Sequence, residues 1–411
     1  MVAPKSLLRV YARKFKMSIR ESILSDHPRL TALRHELHEH PEVMYEEVWT
    51  SERVKKEIDR IGIPCLPGLA GGTGILAHLP ATKPGGKTVA LRADMDALPI
   101  REETGLPYAS KIDGKMHACG HDGHTTILIG ALGALAQESD RPNDILFLFQ
   151  PAEEGGAGGQ KMVQEGALDG SRLGKPADVI YGLHGWPEGR FGEITVRNGP
   201  MLAATDEWTV VIRGKGGHAA APHLSQDPVV AAAQVIVALQ SIVSRNADPL
   251  DSLVFTTGAI HAGQAHNVIP DTVELKGTMR TLKPETRVMG EARFRTLVTS
   301  VSEALGCHAE IIWNEGYPVT FNDPWATDRF RTIVRDFVGE DLTEKENPVM
   351  GGEDFSYYGQ VVPACFCFVG LRREGDEKPA GLHTPRFDFN DAIIPRCVEM
   401  FCRLATAPVK N

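Results

Sequence analysis

Residues 144–156 read DILFLFQPAEEGG. Five apolar residues in a row, Ile145 to Phe149, show no alternation with polar ones, so the strand they form is covered on both faces. The run then breaks into Pro151, the carboxylates Glu153 and Glu154, and two glycines. The same passage from apolar run to polar turn recurs outward in both directions. Upstream, 89–91 (VAL) leads into RADMDALPI at 92–100, which sets Asp94 and Asp96 at a strand's end. Downstream, 179–183 (VIYGL) leads to His184 in GLHGWP, and 364–369 (ACFCFV) precedes His383 in LHTPRFDF. Between the first two strands lies HACGHDGHTT, 117–126, which packs Cys119 and His121 around Gly120 just ahead of an Ala/Leu-rich helix expected over 126–136.

Unalternating strands separated by helices predict an α/β fold, a mostly parallel sheet covered by helices. Sites in such sheets form beyond the carboxyl ends of the strands, where these polar groups fall. Apolar spacing from residue 26 to 61 gives two helices broken at His40-Pro41 and joined by HPEVMYEE. Near Gly199 the style changes. Residues 205–213 alternate in part, and helices over 228–243 and 284–305 are interleaved with strands over 253–260, 272–279 and 308–313. Two βαβ-like units of this kind make one helical layer on a four-stranded sheet. Residues 203–314 therefore read as an inserted α+β domain. The first domain is discontinuous, 26–202 and 315–411, behind a loosely ordered segment 1–25.

A chain of 411 residues, 42% hydrophobic and 24% charged, is globular and long enough for two cores. A net charge of -9 argues against nucleic acid or an acidic membrane as partner, and no apolar run in the sequence approaches a membrane span. Seven scattered cysteines do not form a disulfide framework and indicate a reducing compartment, the cytoplasm. Cys365 and Cys367 share one face of a strand and read as core residues. The first twenty residues are basic and free of acids, which fits either an organellar presequence or a start at Met17.

Thiolate, imidazole and carboxylate are the ordinary ligands of Zn²⁺ and similar ions. HACGHD supplies two, so the others must come from Glu153 or Glu154, His184 and His383. One thiolate or carboxylate set among histidines can bridge two ions, a pair suited to polarising a carbonyl and activating water. Adjacent glutamates then divide the work, one ligating and the other taking a proton. Two rival readings use the same residues: a thiol-dependent amidase with Cys119 as nucleophile, which survives chelation, and a metal-dependent binding module without turnover.

Taken in order, RADMDALPI, HACGHDGHTT, FQPAEEGG, GLHGWP, GKGGHAAAPH, HNVIPD, GTMRT, GGEDFSYY and LHTPRFDF resemble the aminoacylase and carboxypeptidase family of di-metal peptidases. Within it they resemble the amidohydrolase branch of hippurate hydrolases, N-acyl-amino-acid amidohydrolases and auxin-conjugate hydrolases. The resemblance runs from about Leu30 onward. It implies two divalent ions per subunit (Zn²⁺, Mn²⁺ or Co²⁺), with Cys119 as bridge, His121 and His184 on one ion, Glu154 and His383 on the other, and Glu153 as general base. Other branches carry a histidine and an aspartate one residue apart at the DMD position and an aspartate bridge; Asp94 and Cys119 fit the amidohydrolase branch. Asp96 becomes a carboxylate that orients a ligand.

The inserted domain resembles the family's lid and dimerisation domain. There His218 would donate to the scissile carbonyl oxygen, and Asn267 and Arg280 would hold the substrate's carboxylate or backbone. The implied reaction is hydrolysis of small N-acyl amino acids to a carboxylic acid and a free amino acid. Dipeptide and carbamoyl-amino-acid hydrolysis are the neighbouring alternatives. The implied assembly is a homodimer or higher homo-oligomer through the lid, with His218 serving the partner's site.

Overall fold

Strands Thr88–Asp94 and Asp144–Gln150 are buried at every position, which is what an apolar run without alternation requires. The computed structural model describes residues 19–409; the first eighteen residues of the basic N-terminal stretch, with the alternative start at Met17, lie outside the described residues. Among the described residues the chain divides into two compact units. One runs to Gly199 and includes Phe321–Glu346 and the chain from Asp354; the other is Pro200–Thr320 with Asn347–Glu353.

The first unit is built on an eight-stranded mixed sheet. Its four central strands, Asp144–Gln150, Thr88–Asp94, Val179–Arg190 and Ala364–Arg372, run parallel. Antiparallel neighbours join outside them, Gly74–Leu79 on one side and Ile194–Val196 on the other. Helices Glu21–Glu39, His121–Ala136 and Ile394–Thr406 bring Leu30, Leu132 and Val398 into one buried cluster with Leu91, Phe147 and Tyr181.

Three local expectations need correction. The first helix starts at Glu21, so residues 21–25 are helical rather than loosely ordered: Ile23 is buried, and Arg20 pairs with Glu138 and Glu399. The helix after HACG starts at His121 rather than near residue 126, because Gly120 takes the left-handed conformation (φ 94°) that turns the chain into it. A Cβ at Gly120 would also meet the Phe389 ring at 3.0 Å. His184 lies inside its strand, not past its end. The strand Val179–Arg190 keeps pairing with Ala364–Arg372 as far as Arg190, while its other neighbour pairs only up to Tyr181. Beyond Tyr181 that edge opens, and His184 occupies it.

The second unit is a β-α-β-β-α-β sandwich. Its antiparallel sheet has the order Leu253–Ala262, Thr272–Thr281, Ala204–Arg213, His308–Glu315. Helices Pro228–Ser241 and Pro284–Ala304 supply Val235, Leu239, Phe294 and Val298 to a core with Trp208, Phe255 and Leu275. Asp227 caps the first helix by accepting from the amides of Val229 and Val230, and Pro228 fills its first turn. By length and composition the stretch Pro228–Asn246 is apolar enough to cross a membrane, contrary to the sequence reading. Ala231, Ala232, Val235, Leu239 and Ile242 are buried in the sandwich core, while Val229, Val230, Val237 and Val243 of the same stretch are exposed.

Candidate metal centre

Five of the residues singled out from sequence come together in the first unit. Ligand atoms of Cys119, His121 and His184 lie within 4.8 Å of one another, and so do those of Cys119, Glu154 and His383. The two triads share Cys119. Its Sγ is 3.2 Å from His184 Nε2 and 3.3 Å from His383 Nε2, and His383 Nε2 is 3.1 Å from Glu154 Oε1. Glu153 and Glu154 also group with His121 within 4.8 Å.

Two of the imidazoles, those of His121 and His184, are aimed from behind. His121 Nδ1 donates to the carbonyl of Asp96 (2.9 Å), which leaves the Nε2 lone pair free; that nitrogen is buried and has no hydrogen-bond partner. His184 Nδ1 donates to the carbonyl of Gly185 (2.8 Å), again leaving Nε2 for the centre. His124 behaves differently. Its Nδ1 donates to Asp94 (2.7 Å) and its Nε2 accepts the amide of Gly185 (2.9 Å). Both nitrogens are used, so His124 braces the strand at His184 and is no ligand, although it clusters with Asp94 and His121. His383 sits at φ 58° with its amide bonded to the carbonyl of Ala118. A non-glycine residue held there costs roughly 1–3 kcal/mol and persists where its surroundings enforce it.

The glutamate pair hangs from its backbone. Asp96 is buried, and its two carboxylate oxygens accept the amides of Glu153 (3.0 Å) and Glu154 (2.9 Å). The amide of Asp354, in GGEDFSYY, reaches Glu153 Oε1 at 3.4 Å. Behind them Arg92, fully buried in its strand, binds Asp94 (2.6 Å), Asp354 (2.8 Å) and Gln150 (2.8 Å). Arg92, Gln150 and Asp354 lie in the quoted motifs, but the sequence reading gives them no role. A charged and an amide residue inside strands otherwise buried on both faces was the available signal.

The donors fit a pair of cations. Burial, with the carboxylates of Glu154, Glu153 and Asp94, holds the Cys119 thiol well above the ordinary range, so a thiolate here needs positive charge beside it. The same shift opposes a cysteine nucleophile, which needs a depressed pKa. Burial alone lowers His121, yet Asp94 and Asp96 outweigh it and hold the imidazole up at about 10: the field favours a cation at this point. Burial and neighbouring imidazoles keep His184 neutral, its ligand form. Thiolate, imidazole and carboxylate together suit borderline first-row divalent ions.

The remaining candidates lie in the second unit. His218 is exposed on a two-stranded ribbon, paired with Val268; its Nδ1 accepts the amide of Ala220, which makes Nε2 the N–H donor. Asn267 is exposed on the adjoining strand's approach, its carbonyl bonded to the amide of Ala219. Arg280, half-buried on Thr272–Thr281, is lowered by burial against the pull of Glu207 and Asp206; no hydrogen bond or ion pair ties it among the described residues.

Comparison with known proteins places this geometry. Residues 90–407 match the family described as Peptidase family M20/M25/M40. An N-acetyl-L-cysteine deacetylase of Bacillus subtilis is 42% identical over 369 residues, 89% of this chain and 85% of that protein. A hippurate hydrolase of Campylobacter jejuni is 36% identical over 397 residues, 96% of this chain and 100% of that protein. Among solved structures, a dinuclear metal binding peptidase from the M20 family of Bacillus subtilis superposes with a TM-score of 0.78 at 33% identity, covering 93% of this chain and 98% of that one. With two ligand triads meeting at Cys119 and a family match over most of its length, this chain belongs to peptidase family M20/M25/M40.

Proposed function

We propose that the protein is a metal-dependent amidohydrolase that cleaves N-acyl amino acids to a carboxylic acid and a free amino acid. The observation that carries this reading is the pair of triads sharing Cys119 with Glu153 beside them. The relatives named for N-acetyl-L-cysteine and for hippurate, both N-acyl amino acids, support the substrate class.

Cys119, His121 and His184 would hold one ion, and Cys119, Glu154 and His383 the other, with Zn²⁺, Mn²⁺ or Co²⁺ suited to these donors. When bound, such ions polarise an amide carbonyl and acidify water. The chain's own residues supply the proton handling. Glu153 takes a proton from the attacking water on its carboxylate and returns it to the departing amine nitrogen, held in place by Asp96 and the Asp354 amide. His218, with its proton on Nε2, is the donor to the developing oxyanion. Arg280 offers an untied guanidinium for the substrate's carboxylate, and Asn267 a side-chain amide for the substrate's carboxylate or backbone.

Association of two copies through the second unit is part of this reading, supported by Val229, Val230 and Val237 exposed on one helix. Seven free cysteines suit a reducing compartment such as the cytoplasm.

The test combines a panel of acetyl-, benzoyl- and indoleacetyl-amino acids with metal analysis of wild type, Glu153→Gln and Glu154→Gln. Glu153→Gln keeps its metals and loses about 100-fold or more in kcat; Glu154→Gln loses metal from one position. Turnover that persists in Glu153→Gln, or in fully chelated protein, overturns the reading.

A further inference from the structure

The segment HPEVMYEE, residues 40–47, joins the first two helices and has no part in the reaction proposed above. In the structure it is a strap lying against the turn that carries Glu153 and Glu154. Val43 forms a parallel bridge with Ala97, and the Ala97 amide donates to the carbonyl of Glu42 (2.8 Å), so the strap grips the chain one residue past Asp96. Glu42 is locked in turn, accepting from the amides of Trp49 and Thr50 at the start of the following helix. The Tyr45 hydroxyl donates to the carbonyl of Gly156, with Lys161 Nζ 3.7 Å from its ring centroid. At the end of the strap, Glu47 is fully buried; its carboxylate accepts the amide of Ala152 (2.8 Å) and the hydroxyl of Thr73 (3.0 Å).

The amides of Ala152, Glu153 and Glu154 are thus taken in sequence by two buried carboxylates, Glu47 first and Asp96 for the other two. Ala152 has φ 55°, a conformation that an alanine leaves unless held. Released, it returns to ordinary backbone angles and turns the peptide from which both glutamates project. We propose that Glu47 is a positioning residue: by holding the Ala152 amide it aims Glu153 as base and Glu154 as ligand. This rests on the function proposed above.

Reach and charge make opposite predictions. In Glu47→Gln the amide oxygen accepts from Ala152 and its NH₂ donates to Thr73, whose hydroxyl can accept as well as donate. In Glu47→Asp the charge survives but the carboxylate is drawn back by roughly 1.5 Å, one bond length. The experiment compares Glu47→Gln, Glu47→Asp and Glu47→Ala with wild type and Glu153→Gln, using the fastest substrate of the panel. It reads kcat and KM at saturating Zn²⁺, Zn²⁺ affinity of the stripped protein, and amide hydrogen exchange along the chain.

Glu47→Gln stays within about threefold of wild type. Glu47→Asp and Glu47→Ala lose about 10- to 100-fold in kcat and in Zn²⁺ affinity, at a KM within about twofold, with faster exchange confined to 152–156. Normal exchange and kcat in Glu47→Asp overturn the proposal. So does a Glu47→Gln as damaged as Glu47→Asp, which assigns the residue to charge, and so does failure of both Asp and Ala variants to fold, which assigns it to folding. An active Glu153→Gln sinks the role of Glu153 instead, and the exchange data then decide separately whether Glu47 holds the turn.

Discussion

Replacing Asp96 by Asn changes one atom at the point where both catalytic-turn amides are held. The carboxylate sits with 1% exposure and accepts Glu153 N at 3.0 Å and Glu154 N at 2.9 Å, one on each oxygen. Asn offers one acceptor. Its NH₂ must face the other backbone N–H, donor against donor. The loss is one charge-assisted bond, about 1.5–3 kcal/mol, plus a buried donor left unpaired, about 1–3 kcal/mol. Rotation of the turn relieves part of that strain and in doing so moves Glu153 and Glu154. Metal affinity and kcat therefore fall together, each by about 10- to 100-fold. His121 keeps the bond from its Nδ1 to the Asp96 backbone carbonyl but loses the charge of the carboxylate, whose Oδ1 lies 3.3 Å from that nitrogen. The assay is calorimetric titration of Zn²⁺ into stripped wild type and Asp96→Asn, followed by kcat at saturating metal and a thermal melt to show that the fold is intact. An Asp96→Asn protein whose affinity and kcat both stay within about threefold of wild type would refute the argument that these two bonds aim the glutamates.

Three further expectations follow from the same geometry. Cys119 should resist alkylation while metals are bound and react only after stripping and at raised pH, since burial and adjacent carboxylates hold its thiol high; labelling at the same rate with and without metal removes it from the bridge. Burial, then the charge of Asp96, raises Glu47 from the ordinary 4.5 to about 7 against the bonds it accepts from Ala152 and Thr73. The folded state then binds the extra proton, so this contribution is full below the ordinary value and is lost as pH rises through about 7. The loss is on the order of 3 kcal/mol, and urea melts from about pH 5 to about pH 8 should show Glu47→Gln with the flatter profile and the greater stability at the alkaline end. Mixing inactive His218→Ala with inactive Glu153→Gln should restore activity if His218 serves a partner's site; exchanged subunits that stay inactive exclude that arrangement.

Much of the first unit was legible because its strands carry no alternation. DILFLFQ can only be covered on both faces, and the polar residues that follow can only cluster where such strands end. The metal-ligating chemistry of Cys119, His121, Glu154, His184 and His383 was likewise visible in residue type, and the structure draws these five into two triads. The partial alternation of residues 205–213 similarly announced a sheet with one open face.

Tertiary structure alone decided how those residues are aimed. Nothing local in GLHGWP says that the strand continues past His184; that depends on Ala364–Arg372 running alongside while Thr88–Asp94 stops short. Nothing in HACGHDGHTT distinguishes His124 from His121, because the difference is whether the second nitrogen meets the amide of Gly185 or no partner at all. Glu47, Arg92 and Asp354 escaped for the same reason. Each acts through a hydrogen bond to a residue 2 to 262 positions away, and the distant partners Asp354 and Ala152 lie outside the strands and come within reach only in the folded chain. Residue type determines which chemistry a chain can offer; the direction of a lone pair is settled by what lies behind it, and that is fixed only when the sheet has closed.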